Sequence, residues 1–317
     1  AHYGPVRNPW NGDHISGGSS SGSAGAVAAR LCFGALGSDT GASIRVPAAC
    51  CGLVGIKPTY GRISRHAAMP RSWSNDCIGP LARTAEDCAI LLQAVAGQDP
   101  QDPSSLPAAV PDYRRALAAG VSGLRIAVPR LESLPGVQDH VADALEASRR
   151  VLEAAGCTLV ERALPDLEPL YLLGETLAKA EASTIHRRWL MQCPEKYGAH
   201  VRTRLEAGLA LPVGRYLEAL SLRSQVLKRF LAEVLGDADV LHLPVLGTDV
   251  PTIAETDFHS SGTVQGTVSG ITRYTRPINY LGLPAVSVPC GFSAAGLPLA
   301  FQLVGRSLDE DRLLALA

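Results

Sequence analysis

The sequence predicts an α/β protein built around a central mixed sheet. Residues 240–246 (Val-Leu-His-Leu-Pro-Val-Leu) and 284–292 (Pro-Ala-Val-Ser-Val-Pro-Cys-Gly-Phe) are near-continuous apolar runs, the pattern of strands covered on both faces. They alternate along the chain with segments of helical period, as layered α/β folds require. The third observation is capacity, because 317 residues that are 46% apolar suffice to bury a substantial core.

The elements follow in chain order. Residues 12–25 are dense in Gly and Ser, but 24–36 is Ala/Val/Leu-rich and reads as a helix, so the loop caps a buried helix and is no linker. Thr84-Ala85-Glu86-Asp87 has the form of a capping box and opens a helix that Gly97 ends. Residues 98–103 form a rigid Asp-Pro turn. A strand is predicted over 123–129. Next comes a helix over 137–155, with Val141, Leu145 and Leu152 on one face and Gly156 closing it. A short strand follows at 158–161. Residues 170–235 are helical and charge-rich, with breaks at Pro194 and Pro212. The last segment, 309–317, reads as the start of a helix without a C-cap, and both ends look cut. No internal repeat or linker appears, so one domain is expected.

Composition narrows the function. A formal net charge of −1 leaves no electrostatic footprint for nucleic acid or an anionic membrane. No apolar run reaches the roughly 18–20 residues of a membrane span. No charged-then-apolar signal segment opens the chain, although residue 1 is Ala1 and not Met. The eight cysteines include no C-x-x-C pair and several sit among apolar neighbours, so buried thiols and a reducing cytoplasm are expected. No phosphate loop or metal-ligand cluster is present, and no cofactor is expected.

The chemistry concentrates in two small-residue loops. Ser43 lies in 37–47 (Gly-Ser-Asp-Thr-Gly-Ala-Ser-Ile-Arg-Val-Pro), 24 positions after Ser19 in 17–23 (Gly-Gly-Ser-Ser-Ser-Gly-Ser). Several consecutive N–H groups around Thr40, Gly41, Ala42 and Ser43 can converge on one point, as an oxyanion hole requires. A serine there still needs a base. Three sources stand open. One is a histidine, with His14 and His66 nearest in sequence. Another is a G-x-S-x-G elbow at 18–22 with Ser20 as nucleophile, which requires a preceding strand that 8–14 does not supply. The third is a lysine whose pKa is lowered by burial and neighbouring donors.

Residues 17–24 followed by 39–48 (Asp-Thr-Gly-Ala-Ser-Ile-Arg-Val-Pro-Ala) resemble the amidase signature family, including the spacing of its two working serines. Residues 51–62 (Cys-Gly-Leu-Val-Gly-Ile-Lys-Pro-Thr-Tyr-Gly-Arg), 79–87, 275–284 and 296–305 continue the resemblance. It spans nearly the whole chain and is loosest between about 100 and 235.

The resemblance implies an α/β/α sandwich that hydrolyses amides through a Ser-cisSer-Lys triad and an acyl-enzyme. Ser43 is then the nucleophile. Ser19 follows a cis Gly18–Ser19 peptide and relays the proton, and the amides of Thr40 to Ser43 form the oxyanion hole. Asp39 and Arg45 are expected to hold the loop through hydrogen bonds, and Ser21 to orient Ser19 or simply pack. Trp73, Trp189 and His186 are candidates for the acyl pocket or the core. The implied domain is 1–317, incomplete, with a signature core over 12–97, a variable helical region over about 100–235 and C-terminal strands over 236–317.

Two departures stand out. Ala42 occupies a position where the family usually has glycine, at a cost of about 1 kcal/mol if that position has positive φ and none otherwise. The family's lysine lies several dozen residues before the first serine, a position this chain does not include. Its lysines are Lys57, Lys179, Lys196 and Lys228, and Lys57, in Lys-Pro-Thr, reads as structural or surface. The catalytic lysine is therefore expected to be absent, and residues 1–317 alone to turn over little. The expected substrate is a small-molecule amide, with a homodimer left open. Residues 201–209 favour a free-standing amidase. The alternatives are the A subunit of a glutamyl-tRNA amidotransferase and a non-catalytic relic.

Overall fold

A computed structural model describes residues 3–257 and 264–317. In chain order the elements are α1 (Ser21–Ala28), β1 (Gly34–Asp39), α2 (Arg45–Cys51), β2 (Val54–Lys57), β3 (Cys77–Ala82), α3 (Ala85–Val95), α4 (Tyr113–Leu117), β4 (Arg125–Val128) and α5 (Asp139–Ala154). They continue with β5 (Thr158–Glu161), α6 (Glu168–Gln192), α7 (Ala199–Leu209), α8 (Val213–Phe230), β6 (Val240–Pro244), α9 (Val264–Thr272), α10 (Arg276–Leu281), β7 (Ala285–Phe292), β8 (Pro298–Val304) and α11 (Glu310–Ala315). The eight strands form one mixed sheet in the order β1-β3-β2-β7-β8-β6-β4-β5. Strand β4 runs parallel to β5 and β6, and the other pairings are antiparallel.

Helices cover both faces, so the α/β/α sandwich and its mixed, buried sheet are as expected. Strand β7 shows how. Val286 and Val288 face a core shared with Leu92 of α3, Leu145 of α5 and Leu313 of α11. Ala285 faces the opposite core, with Leu177 of α6, Phe230 of α8 and Ile278 of α10. A third core joins α1 and α2 to Leu81 and Ala300. Every residue of β8 is buried, as a strand covered on both faces must be.

The predicted helix over 24–36 is corrected. Helix α1 ends at Ala28, Arg30 takes a positive φ of 61°, and Gly34–Asp39 becomes a strand pairing β3 antiparallel. Leu31 and Phe33 at this break are exposed, so no apolar face extends the helix. The Thr84 cap forms as expected, its side chain accepting from the Asp87 N–H at 3.1 Å. Breaks fall at Pro194 and Pro212, between α6, α7 and α8. All eight cysteines are free thiols. Among the described residues no helix is long and apolar enough to cross a membrane, and no three His, Cys, Asp or Glu side chains group to hold a metal.

Candidate active site

Both serine loops meet at the end of β1. The first loop can lie against the start of α2 because residue 17 is glycine. Its φ is +74°, and a Cβ there would sit 2.6 Å from the Pro47 Cα. The Gly18–Ser19 peptide is cis. Ser20 then joins the two loops, its N–H donating to the Ser43 carbonyl at 3.3 Å. The Ser20 hydroxyl donates to the Ser38 carbonyl at 3.3 Å and accepts from the Ser38 N–H at 3.2 Å, which fastens it to β1. Gly37 leaves room for this, since a Cβ there would lie 2.6 Å from the Ser20 Oγ. One backbone hydrogen bond thus ties the residue after Ser19 to Ser43, with Ser19 exposed and Ser43 half-buried. Ser21 opens α1, and its hydroxyl makes no hydrogen bond among the described residues.

Beneath Ser43 lies a fully buried ion pair. Asp39 Oδ2 accepts from the backbone N–H of Ile44 at 3.1 Å and of Arg45 at 3.4 Å, satisfying amides that the start of α2 leaves open. The Arg45 guanidinium donates to both Asp39 oxygens, at 3.1 and 3.2 Å, to Gln302 Oε1 at 2.9 Å, to the Thr275 carbonyl at 3.0 Å and to Asn279 Oδ1. Asn279 Nδ2 returns to the Asp39 carboxylate at 2.8 Å and to its backbone carbonyl at 2.9 Å. Gln302 Nε2 donates to the carbonyls of Pro244 and Tyr274. Burial alone would raise the Asp39 carboxyl, but the charge and hydrogen bonds of Arg45 hold it below the ordinary value of 3.8. Such a fully bonded network fixes the backbone of 39–45, and hence the direction of its amides. The hydrogen bonds of Asp39 and Arg45 run within the loop and on to Thr275, Asn279 and Gln302.

The outer side of the loop is tied as well. The Thr40 hydroxyl donates to Asp76 Oδ1 at 2.6 Å, while Asp76 Oδ2 accepts from the N–H groups of Arg71 and Ser72, each at 2.8 Å. Only Arg30, Ala67 and Leu308 are described non-glycine residues with positive φ, so Ala42 meets no left-handed penalty.

Lys57 is not a surface lysine. It is fully buried on β2, its Nζ donating to the Pro58 carbonyl at 2.9 Å and lying 3.9 Å from the Cys77 sulfur. Burial holds its pKa below 10.5, against the opposing pull of Cys77 and Asp39. His14 is engaged at Nδ1 with the Val250 carbonyl at 2.7 Å, and His66 is exposed. His186 bonds the Tyr197 hydroxyl at 2.9 Å, and Trp73 and Trp189 are both exposed. The Ser20 elbow finds no strand before it and a hydroxyl already occupied by Ser38. Sequence reasoning missed Ser20 as the joint and Asp76, Asn279 and Gln302 as its supports. The available signal was polar residues inside apolar runs, as with Gln302 in Leu299–Val304, where a buried amide has to find partners.

Residues 1–314 match the family model described as Amidase. The chain is 40% identical over 343 residues to the A subunit of glutamyl-tRNA(Gln) amidotransferase from Thermosynechococcus vestitus, covering 99% of this chain and 69% of that protein. Its structure is similar to a chain from a vestigial protein complex described as revealing the evolutionary origins of an s-triazine catabolic enzyme. That likeness has a TM-score of 0.89 at 31% identity, over 99% of this chain and 68% of the other. The A subunit from Thermotoga maritima matches with a TM-score of 0.83 at 34% identity, over 98% and 67%. The chain belongs to the amidase signature family. Proteins described as amidases and amidotransferase A subunits both stand among such relatives, so the 201–209 segment does not by itself separate them.

Proposed function

We propose that the protein hydrolyses a carboxylic amide, releasing ammonia or an amine, with Ser43 as nucleophile and Ser19 as proton relay. The observation that carries this reading is the Ser20–Ser43 backbone hydrogen bond. It sets the residue after Ser19 against the carbonyl of Ser43 on a loop that the buried Asp39–Arg45 pair keeps rigid. In this reading the Ser43 Oγ attacks the amide carbonyl and the carbonyl oxygen turns into the amides of residues 40–43. Ser19 takes the Ser43 proton on its way to a lysine and returns one to the leaving nitrogen. Water then attacks the acyl-enzyme by the same relay. None of Lys57, Lys179, Lys196 and Lys228 is assigned as that base. Lys57 fills a structural role at the Pro58 carbonyl.

The test is ammonia release from short aliphatic and aryl amides by the full-length polypeptide, with trapping of the acyl-enzyme by hydroxylamine. Ser43→Ala is expected to lower turnover by about 10³-fold or more. A Ser43→Ala protein that keeps a tenth of the activity refutes the assignment. The 40% identity to an amidotransferase A subunit favours a second reading, in which ammonia is passed to a partner-bound acceptor. Turnover that requires added partner subunits selects it, and full turnover by the isolated protein rejects it.

A further inference from the structure

Three arginines from distant parts of the chain gather on the outer side of the 40–43 loop. Arg276 opens α10 and is only 6% exposed. It packs on Gly41, where an added Cβ would lie 3.5 Å from its Cγ and 3.5 Å from its Nε. That Nε is buried without a hydrogen-bond partner. Among the described residues the guanidinium also makes a cation–π stack on Tyr171 at 4.7 Å and an ion pair with Glu175 at 3.8 Å, too long for a hydrogen bond. Arg71 is fixed to the same loop from the other side, because Asp76 accepts from both its N–H and the Thr40 hydroxyl. Arg204 projects from α7, which packs on α6 through the Ser183 hydroxyl and the Leu205 carbonyl. Neither the Arg71 nor the Arg204 guanidinium donates a hydrogen bond to any described residue.

The charges around them do not balance. Asp76 already accepts three hydrogen bonds from Thr40, Arg71 N–H and Ser72 N–H. Glu175 is shared with Lys179 at 3.2 Å. Among the described residues, four cations (Arg71, Lys179, Arg204 and Arg276) therefore face two carboxylates, both already engaged. The mutual repulsion registers on the arginines themselves. Arg71 is brought down to about 10, by burial first and then by Arg204 and Arg276. Arg204 is lowered by burial and by Arg276. Burying the Arg276 Nε with its donor unused costs free energy unless an anion completes the site, and forked guanidinium donors match a planar carboxylate.

We propose that Arg71, Arg204 and Arg276 form the subsite for the far end of the acyl group, and that the substrates are amides whose acyl chain carries a second, ionised carboxylate. This rests on the hydrolase reading above for the location of the reacting carbonyl, beside Gly41. The cation–π stack and Glu175 aim Arg276, and Arg71 and Arg204 close the pocket around the bound anion.

The experiment measures binding by calorimetry and hydrolysis by ammonia release with the full-length protein. The probes are the monoamides malonamate, succinamate and glutaramate, each paired with the neutral amide in which a methyl group replaces the carboxylate. At least one anionic probe is expected to bind ten-fold or more tightly than its neutral partner, with the gap narrowing as salt is raised. Arg204→Gln, on a partly exposed helix face, and Arg276→Gln are each expected to weaken that probe's binding about ten-fold or more. Arg276→Lys, which keeps the charge without the fork, is expected to recover only part of the loss. Equal binding of all three pairs by the unaltered protein overturns the proposal, whatever the variants do. So does unchanged succinamate, malonamate and glutaramate binding in folded Arg204→Gln. The two readings fail separately. Ser43-dependent cleavage of neutral and anionic amides with equal kcat/KM leaves the hydrolase and removes the subsite. Selective anion binding with no cleavage of any amide leaves the subsite and removes the hydrolase.

Discussion

Replacing Arg45 by Met tests the idea that the nucleophile loop is held from below. Arg45 and Asp39 are both 0% exposed, and the guanidinium makes five hydrogen bonds, to Asp39 twice, Gln302, Thr275 and Asn279. Methionine approximates the aliphatic stem but leaves the Asp39 carboxylate buried beside only two backbone amides and one side-chain amide. Breaking a buried pair by removing one partner costs about 3–5 kcal/mol, well above the cost of an exposed bridge at about 0–1 kcal/mol. Urea unfolding followed by circular dichroism is expected to show a loss in that range. The pH dependence supplies a second reading of the same pair. The folded pKa of Asp39 lies below its unfolded value, so its contribution is present above 3.8 and is lost as pH falls through the depressed folded value. Asp39→Asn is therefore expected to flatten the acid side of the stability profile below pH 3.8 relative to the unaltered protein. A loss under 1 kcal/mol for Arg45→Met, together with an unchanged acid limb for Asp39→Asn, would refute the claim that this pair holds the loop.

Other expectations follow from single contacts. On the proposed relay role, Ser19→Ala should lower amide turnover about 10²–10⁴-fold while leaving the urea midpoint unchanged, because Ser19 is exposed; activity within three-fold of normal would remove it from the relay. Thr40→Val strips one hydrogen bond from Asp76 and should cost about 1–3 kcal/mol in urea unfolding, with kcat falling more than KM rises. Gly17→Ala must adopt φ +74° and press a Cβ to 2.6 Å from Pro47, so a loss above about 2 kcal/mol is expected in thermal unfolding. Lys57→Met should match or exceed the unaltered protein in stability at pH 7, since a fully buried ammonium without a directly paired carboxylate among the described residues is replaced by an apolar chain. Because the folded pKa of Lys57 is depressed, the unaltered protein should gain stability as pH rises toward 10.5, and Lys57→Met should lose that gain.

Long, strongly patterned elements were legible in the sequence. Helix α5 has three apolar residues on one face and Gly156 with a φ of 91° at its end, and β7 is a near-continuous apolar run; both appear where expected. Strands β1 and β3 were not legible because Gly34–Asp39 and Cys77–Ala82 contain glycine and proline, which oppose strand formation locally. Tertiary pairing between them overrides that preference. The site divides in the same way. Ser19 and Ser43 stood out through their glycine-rich surroundings, whereas Asn279, Gln302 and Arg276 join the site from a strand and a helix, and Arg71 from the loop before β3, and no local pattern connects these to residue 43. The exit of α1 at Arg30 was misread because 24–36 is apolar enough for a helix whichever way its side chains face.

The length of the loop closed by the Arg45 network bears on how the protein is made. Arg45 and Gln302 are 257 positions apart, and Asn279 lies 240 positions from Asp39. At roughly 5–20 residues per second, synthesis separates the two halves of this lock by on the order of 10–50 s. Through that interval the charged pair that will sit at zero exposure has to remain solvated, and the serine loop above it has no fixed form. The loop that carries Ser43 therefore takes its final form only after residues 279 and 302 have been made and β8 has joined the sheet.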